Sequence, residues 1–138
     1  MTWKKYLNLD NFKNLDRKLI LAIDFDGTIV ENKFPDIGKL KHNAKEVINY
    51  LYDFCFIIIY TCRGGSELVE AKNFLDREGI KYHKINENAP FDMIGFLPTS
   101  KIYADIYIDD KNLLTVLDWL EIKKIMDFIL FDKSLVFN

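Results

Sequence analysis

Two runs constrain the fold of this chain more than anything else in it: LILAIDF at 19–25 and FCFIIIY at 54–60. Both are almost wholly apolar. A strand with one wet face alternates apolar and polar residues, so unbroken runs of this length suit strands covered on both faces, as in parallel sheets. Shorter β-like runs follow at 80–85 (IKYHKI) and 104–108 (ADIYI). Helical patterns lie between them. Ala44, Val47, Ile48 and Leu51 share one face of a first helix, with Asn43 and Glu46 spaced as a capping box. Leu68, Ala71, Phe74 and Leu75 share a face of a second, with Ser66 placed as N-cap and Gly79 as the stop. Residues 112–129 carry Leu113, Val116, Leu117, Leu120 and Ile125 in a third such pattern. Strand–helix alternation with short connections predicts an α/β fold: an open, mostly parallel, three-layer Rossmann-like sheet with helices on both faces.

Composition agrees with one soluble domain. The chain has 138 residues, 49% of them apolar and 29% charged, enough to bury a real core. A net charge of −2 gives no argument for nucleic acid and does not exclude it. No apolar run is long enough to span a membrane, and no apolar segment follows Lys4 and Lys5 as a secretory signal would require. Cys55 and Cys62 form neither a metal pair nor a redox motif, so reduced thiols and a cytoplasmic location are expected.

In open parallel sheets, sites form beyond the carboxyl ends of strands, where strand order reverses. The first run ends in DFDGT, the second in YTCRGG and the fourth in IDDKN, with Lys101 shortly upstream. Side chains two apart on a strand share a side. Asp24, Asp26, Asp109, Asp110, the Thr61 hydroxyl and the Lys101 ammonium are therefore expected at one edge. Two carboxylates about 4 Å apart repel by roughly 4 kcal/mol at an effective dielectric near 20. A divalent cation relieves that repulsion, and oxygen ligands suit Mg²⁺. Carboxylate nucleophile, metal and cationic clamp are the parts phosphoryl transfer needs.

These motifs, DFDGT, a strand-end Thr, a Lys and a DD pair in that order, resemble those of the haloacid-dehalogenase-like superfamily, over roughly residues 19–120. FPDIG (34–38), TCR and ADIYIDD further resemble a small subgroup of bacterial and phage members without cap domains. The resemblance implies that Asp24 is the nucleophile and forms an aspartyl-phosphate. It implies that Asp26 is the general acid/base, a role that favours a raised pKa, and that its backbone carbonyl also binds the metal. Thr61 and Lys101 match the phosphate-binding hydroxyl and amine, Asp109 the direct metal ligand and Asp110 a ligand acting through water. Gly27 and Thr28 fit the sharp turn after the first strand, on the substrate side. An Asp at position 26 points to phosphatases and mutases within the superfamily, and residues 29–53 and 62–100 leave no room for a cap. The expected activity is a Mg²⁺-dependent phosphomonoester hydrolase acting on a phosphorylated substrate that the sequence does not identify, with polynucleotide ends among the alternatives. A catalytically weak binding or regulatory domain on the same fold is the other alternative. A receiver domain is disfavoured, because its acceptor Asp follows the third strand, where this chain has INENAP. The domain limits expected are an extension at 1–18 packing on the core, a catalytic domain at 19–130 and a tail at 131–138.

Plainer roles stand beside these. Asp24 and Asp26 could be a polar strand end before a glycine turn. Lys101 could be an ordinary exposed lysine, and Asp110 could cap a following helix. Arg63 could contact a substrate phosphate or pair with Glu67. Asn86 and Asn88 lie at the site's edge as weak candidates. His83 reads as a strand residue and His42 as a surface one, and nothing marks Cys62 as a nucleophile. The apolar ends, with Trp3, Tyr6, Leu7 and Phe12 at one and MDFILFDKSLVFN at the other, are expected to cover a sheet edge or to make a homodimer contact.

Overall fold

The structure, a computed structural model, describes residues 3–12, 15–114 and 118–132. Two short 3-10 turns, Trp3–Tyr6 and Leu9–Phe12, precede the main elements. These are β1 (Leu19–Asp24), β2 (Val30–Lys33), β3 (Asp36–Leu40), α1 (Ala44–Tyr52), β4 (Cys55–Tyr60), α2 (Gly65–Glu78), β5 (Lys84–Ile85), α3 (Phe91–Ile94), β6 (Ile106–Ile108) and α4 (Trp119–Phe131). Four strands form a sheet in the order β5-β4-β1-β6, and every neighbouring pair is parallel. The chain leaves β1 toward β4 and β5, then returns to the other side of β1 as β6. The reversal of strand order therefore falls between β1 and β6.

The apolar runs are covered on both faces. Leu19, Leu21, Ile23, Cys55, Ile57 and Ile59 point into the larger core cluster, together with buried residues of α1, α2 and α4. Ile20, Ala22 and Ile58 point the other way, onto Ala89, Ala104 and the α3 side chains Met93 and Ile94. Each fully buried Ile or Leu contributes roughly 1.5–3 kcal/mol relative to exposure. Helices thus lie on both faces, but unequally: the second face has a single turn of helix and a long irregular segment. The stretches from β1 to α1 and from β4 to β6 hold a hairpin, short helices and loops, with no cap domain.

Local details depart from the sequence expectations. Asn43 precedes α1 in a left-handed conformation (φ 64°) and makes no side-chain cap bond. Gly64, not Ser66, caps α2, while Gly79 ends it at φ 72° as expected. The FPDIG segment covers the tip of the β2–β3 antiparallel hairpin and the start of β3, with a cis bond between Phe34 and Pro35. No helix begins at 112. Leu113 is fully exposed, Val116 and Leu117 lie outside the described residues, and α4 starts at Trp119 on the cap of Asp118, which accepts from the Glu121 amide at 2.9 Å. The buried stripe of α4 is Trp119, Ile122, Met126 and Ile129, so the face built on Leu120 was out of phase.

Among the N-terminal residues, Leu7, Phe12 and Leu15 pack against the larger cluster, and the Trp3 ring meets Phe128 edge-on at 5.3 Å. The expected tail lies, beyond Asp132, outside the described residues. No helix among the described residues is long and apolar enough to cross a membrane.

Candidate active site

Register builds the site. Ile23 of β1 pairs with Ile108 of β6, so the next residues on each strand, Asp24 and Asp109, leave the sheet side by side. Asp110 follows. Single ligand oxygens of Asp24, Asp109 and Asp110 all lie within 4.8 Å of one another. The cluster sits at the carboxyl ends of the two strands that flank the reversal of strand order, where α/β sheets bind ligands.

The turn after β1 is shaped around these acids. Gly27 has φ 88°, a region open mainly to glycine, and a Cβ there would overlap the Asp110 carboxylate, with Cγ only 2.7 Å away. Thr28 is 1% exposed. Its hydroxyl donates to Asp24 Oδ2 at 2.9 Å and accepts the Asp110 amide at 3.0 Å, joining the ends of β1 and β6. The Thr28 carbonyl accepts the Trp119 indole N–H at 2.9 Å, which ties α4 to the same turn. Thr28 therefore holds the acids in place, and its hydroxyl is already used.

Burial pushes the Asp24 carboxyl up to about 7, against the lowering effect of the Thr28 hydrogen bond, and Asp109 and Asp110 push it further in the same direction. The exposed Lys111 lies 3.9 Å from Asp110.

Asp26 is not in the cluster. The strand ends at Asp24 and the chain bends at Phe25, whose ring stays in the core, so the two-residue alternation does not carry through to Asp26. Its carboxylate meets the Arg63 guanidinium in a two-point fork, Nε to Oδ2 at 2.7 Å and Nη2 to Oδ1 at 2.8 Å. The neighbour expected to be a carboxylate is a cation. The raised carboxyl in this site is Asp24.

Arg63 is 3% exposed. Nη1 donates to the carbonyls of Pro35 (3.1 Å) and Glu67 (3.4 Å), and Nη2 also donates to that of Asp36 (2.9 Å). Every guanidinium N–H has a partner, and toward Glu67 that partner is the backbone carbonyl and not the carboxylate. Thr61 directly follows β4 and is half-buried. Its hydroxyl accepts the Arg63 amide at 3.1 Å, and its backbone exchanges two bonds with the Asn86 side chain, both at 2.9 Å. Asn88 accepts the Tyr103 amide at 2.8 Å. Both asparagines shape loops at this edge. Lys101 is exposed, with Nζ 4.7 Å from the centre of the Tyr107 ring. Among the described residues the helix that follows Asp110 is capped by Asp118. His42 is exposed. His83 stacks between Tyr52 and Phe56, and its Nδ1 accepts the Ile57 amide at 3.0 Å.

The sequence missed Arg63 as the partner of Asp26, Thr28 as the link between strand ends, and Trp119 as its anchor. A signal existed for the last: Asp118 and Glu121 have capping-box spacing directly at the start of the real helix.

No protein-family model matches the chain, and no curated protein matches it. Among solved structures, it is similar to a conserved protein from Bacteroides thetaiotaomicron, with 32% identity, a TM-score of 0.72, and coverage of 80% of this chain and 91% of that one.

Proposed function

The chain belongs to the same family as that conserved Bacteroides thetaiotaomicron protein, and from this premise we propose that it is a Mg²⁺-dependent phosphomonoester hydrolase of the haloacid-dehalogenase-like type. The observation that carries the proposal is the meeting of Asp24, Asp109 and Asp110 at the reversal of strand order. The donor set is three carboxylates without sulfur or nitrogen, which fits a hard divalent cation. Bound there, such a cation supplies charge neutralisation around a phosphoryl group. Asp24, its rotamer held by Thr28, attacks phosphorus as the bond to the leaving oxygen breaks. Asp26, protonated once one of its oxygens is released from the Arg63 fork, gives that oxygen a proton. In the second half Asp26 takes a proton from water as the water attacks the aspartyl-phosphate, releasing inorganic phosphate and restoring Asp24. Thr61 and Lys101 are assigned the phosphate oxygens, and Lys101 must leave the Tyr107 ring to reach them.

That position of Lys101 favours a second reading, a metal-binding regulatory domain with negligible turnover. Hydrolysis of an aryl phosphate by the purified protein separates the two. The enzyme reading expects turnover that requires Mg²⁺, stops with a chelator and is abolished in Asp24→Asn, because an amide is not a nucleophile. Full activity in Asp24→Asn contradicts the mechanism, and Mg²⁺ binding without any turnover favours the regulatory domain.

A further inference from the structure

We propose that Arg63 is a positioning residue that latches the β2–β3 hairpin to Asp26, so that the aim of the Asp26 carboxylate depends on the hairpin being docked. The functional part of this rests on the phosphatase reading above.

The guanidinium contacts both sides, Asp26 and the hairpin tip. One edge forks onto Asp26, and the remaining N–H groups reach the hairpin-tip carbonyls of Pro35 and Asp36 and the α2 carbonyl of Glu67. Its Cζ is 5.4 Å from the ring centre of the buried Phe25 and 5.1 Å from that of the exposed Phe34 at the hairpin tip. A planar five-donor group can do this and an ammonium cannot, since Lys has three donors on a point charge. Ile37 and Leu40 of β3 pack on the larger cluster, but β2 beyond Val30 and residues 34–36 at the tip are exposed, so the guanidinium holds a part of the hairpin that the core does not. Loss of the carboxylate would leave a buried guanidinium half-paired, which destabilises its docked position. Loss of the guanidinium would free both the hairpin tip and Asp26.

Two measurements test this. The first is backbone hydrogen exchange of the metal-free protein, wild type against Asp26→Ala and Arg63→Lys. The latch predicts exchange roughly tenfold faster or more at hairpin amides 31–40 in both variants, with β1 and β4 unchanged. An unchanged hairpin in Asp26→Ala overturns it, whatever Arg63→Lys does to folding. The second is hydrolysis of an alkyl and an aryl phosphate. Phenolates leave without a proton and alkoxides do not, so a residue acting through Asp26 must weigh more on the alkyl ester. Arg63→Lys should lower kcat more for the alkyl ester, with KM moving less, and should cost little further in an Asp26→Asn background. Equal losses on both esters, or full additivity, overturn the positioning role. If wild type hydrolyses neither ester, the phosphatase reading fails and the exchange result alone decides the latch.

Discussion

Asp24 and Asp26 stand two residues apart in opposite surroundings, one among carboxylates and the other on a guanidinium. The first half of that contrast was legible. A long apolar run ending in Asp, and a second run ending in a DD pair, place acids at neighbouring strand ends once the strands are parallel. The second half was not, because Arg63 reaches Asp26 across 37 residues only after the hairpin folds back. The surroundings of Asp24 make a pH prediction. Its carboxyl titrates near 3.8 in the unfolded chain and near 7 in the folded, metal-free protein, mainly through burial. The folded state then holds a proton that the unfolded state releases. The stability this contributes is full below the unfolded value and is lost as pH rises through the folded one. In chelator, wild type should lose stability relative to Asp24→Asn as pH rises from roughly 5 to roughly 8. Denaturant midpoints of the two proteins across that range check it, and a constant difference contradicts it.

Elements differ in how much local sequence carries. The faces of β1, β4 and α1 follow from apolar spacing, and the structure keeps them: Val47, Ile48 and Leu51 of α1 are buried as the pattern required. The helix expected at 112–129 fails for a physical reason. Leucines at 113, 117 and 120 mimic helical spacing, yet Leu113 and Leu120 are exposed, and the start of α4 is set by the Asp118 cap and by the Trp119 bond to Thr28. That bond is a long-range contact, invisible to periodicity. Because it satisfies a buried carbonyl, Trp119→Phe should keep most of the apolar burial while orphaning the Thr28 oxygen. The expected cost is about 1–3 kcal/mol, read as a lower urea midpoint with an unchanged slope. No change in midpoint would mean that water replaces the indole and that α4 is not anchored there.

At the scale of the molecule, strand order turns scattered acids into a site. Parallel strands in the order β5-β4-β1-β6 bring residues 24 and 109 together, and that order was foreseeable only as a class, from alternation and two-sided burial. The absence of a cap followed from interval lengths alone. The central claim is that the acidic cluster exists to hold a cation, so apo protein should carry repulsion that metal removes. Mg²⁺ binding only the folded state adds roughly 2.7 kcal/mol at about a hundred times its dissociation constant, which raises the melting temperature of a domain this size by roughly 5–10 °C. Asp109 touches this balance most directly, since its carboxylate accepts an exposed hydrogen bond from the Lys111 amide. The decisive measurement is therefore a set of thermal melts of wild type and Asp109→Asn, each in chelator and in excess Mg²⁺. The account predicts a crossover: the variant melts higher than wild type in chelator, having one like charge fewer, and lower in Mg²⁺, having lost a ligand. A variant that melts below wild type in chelator, or a wild type that Mg²⁺ does not stabilise, would contradict it.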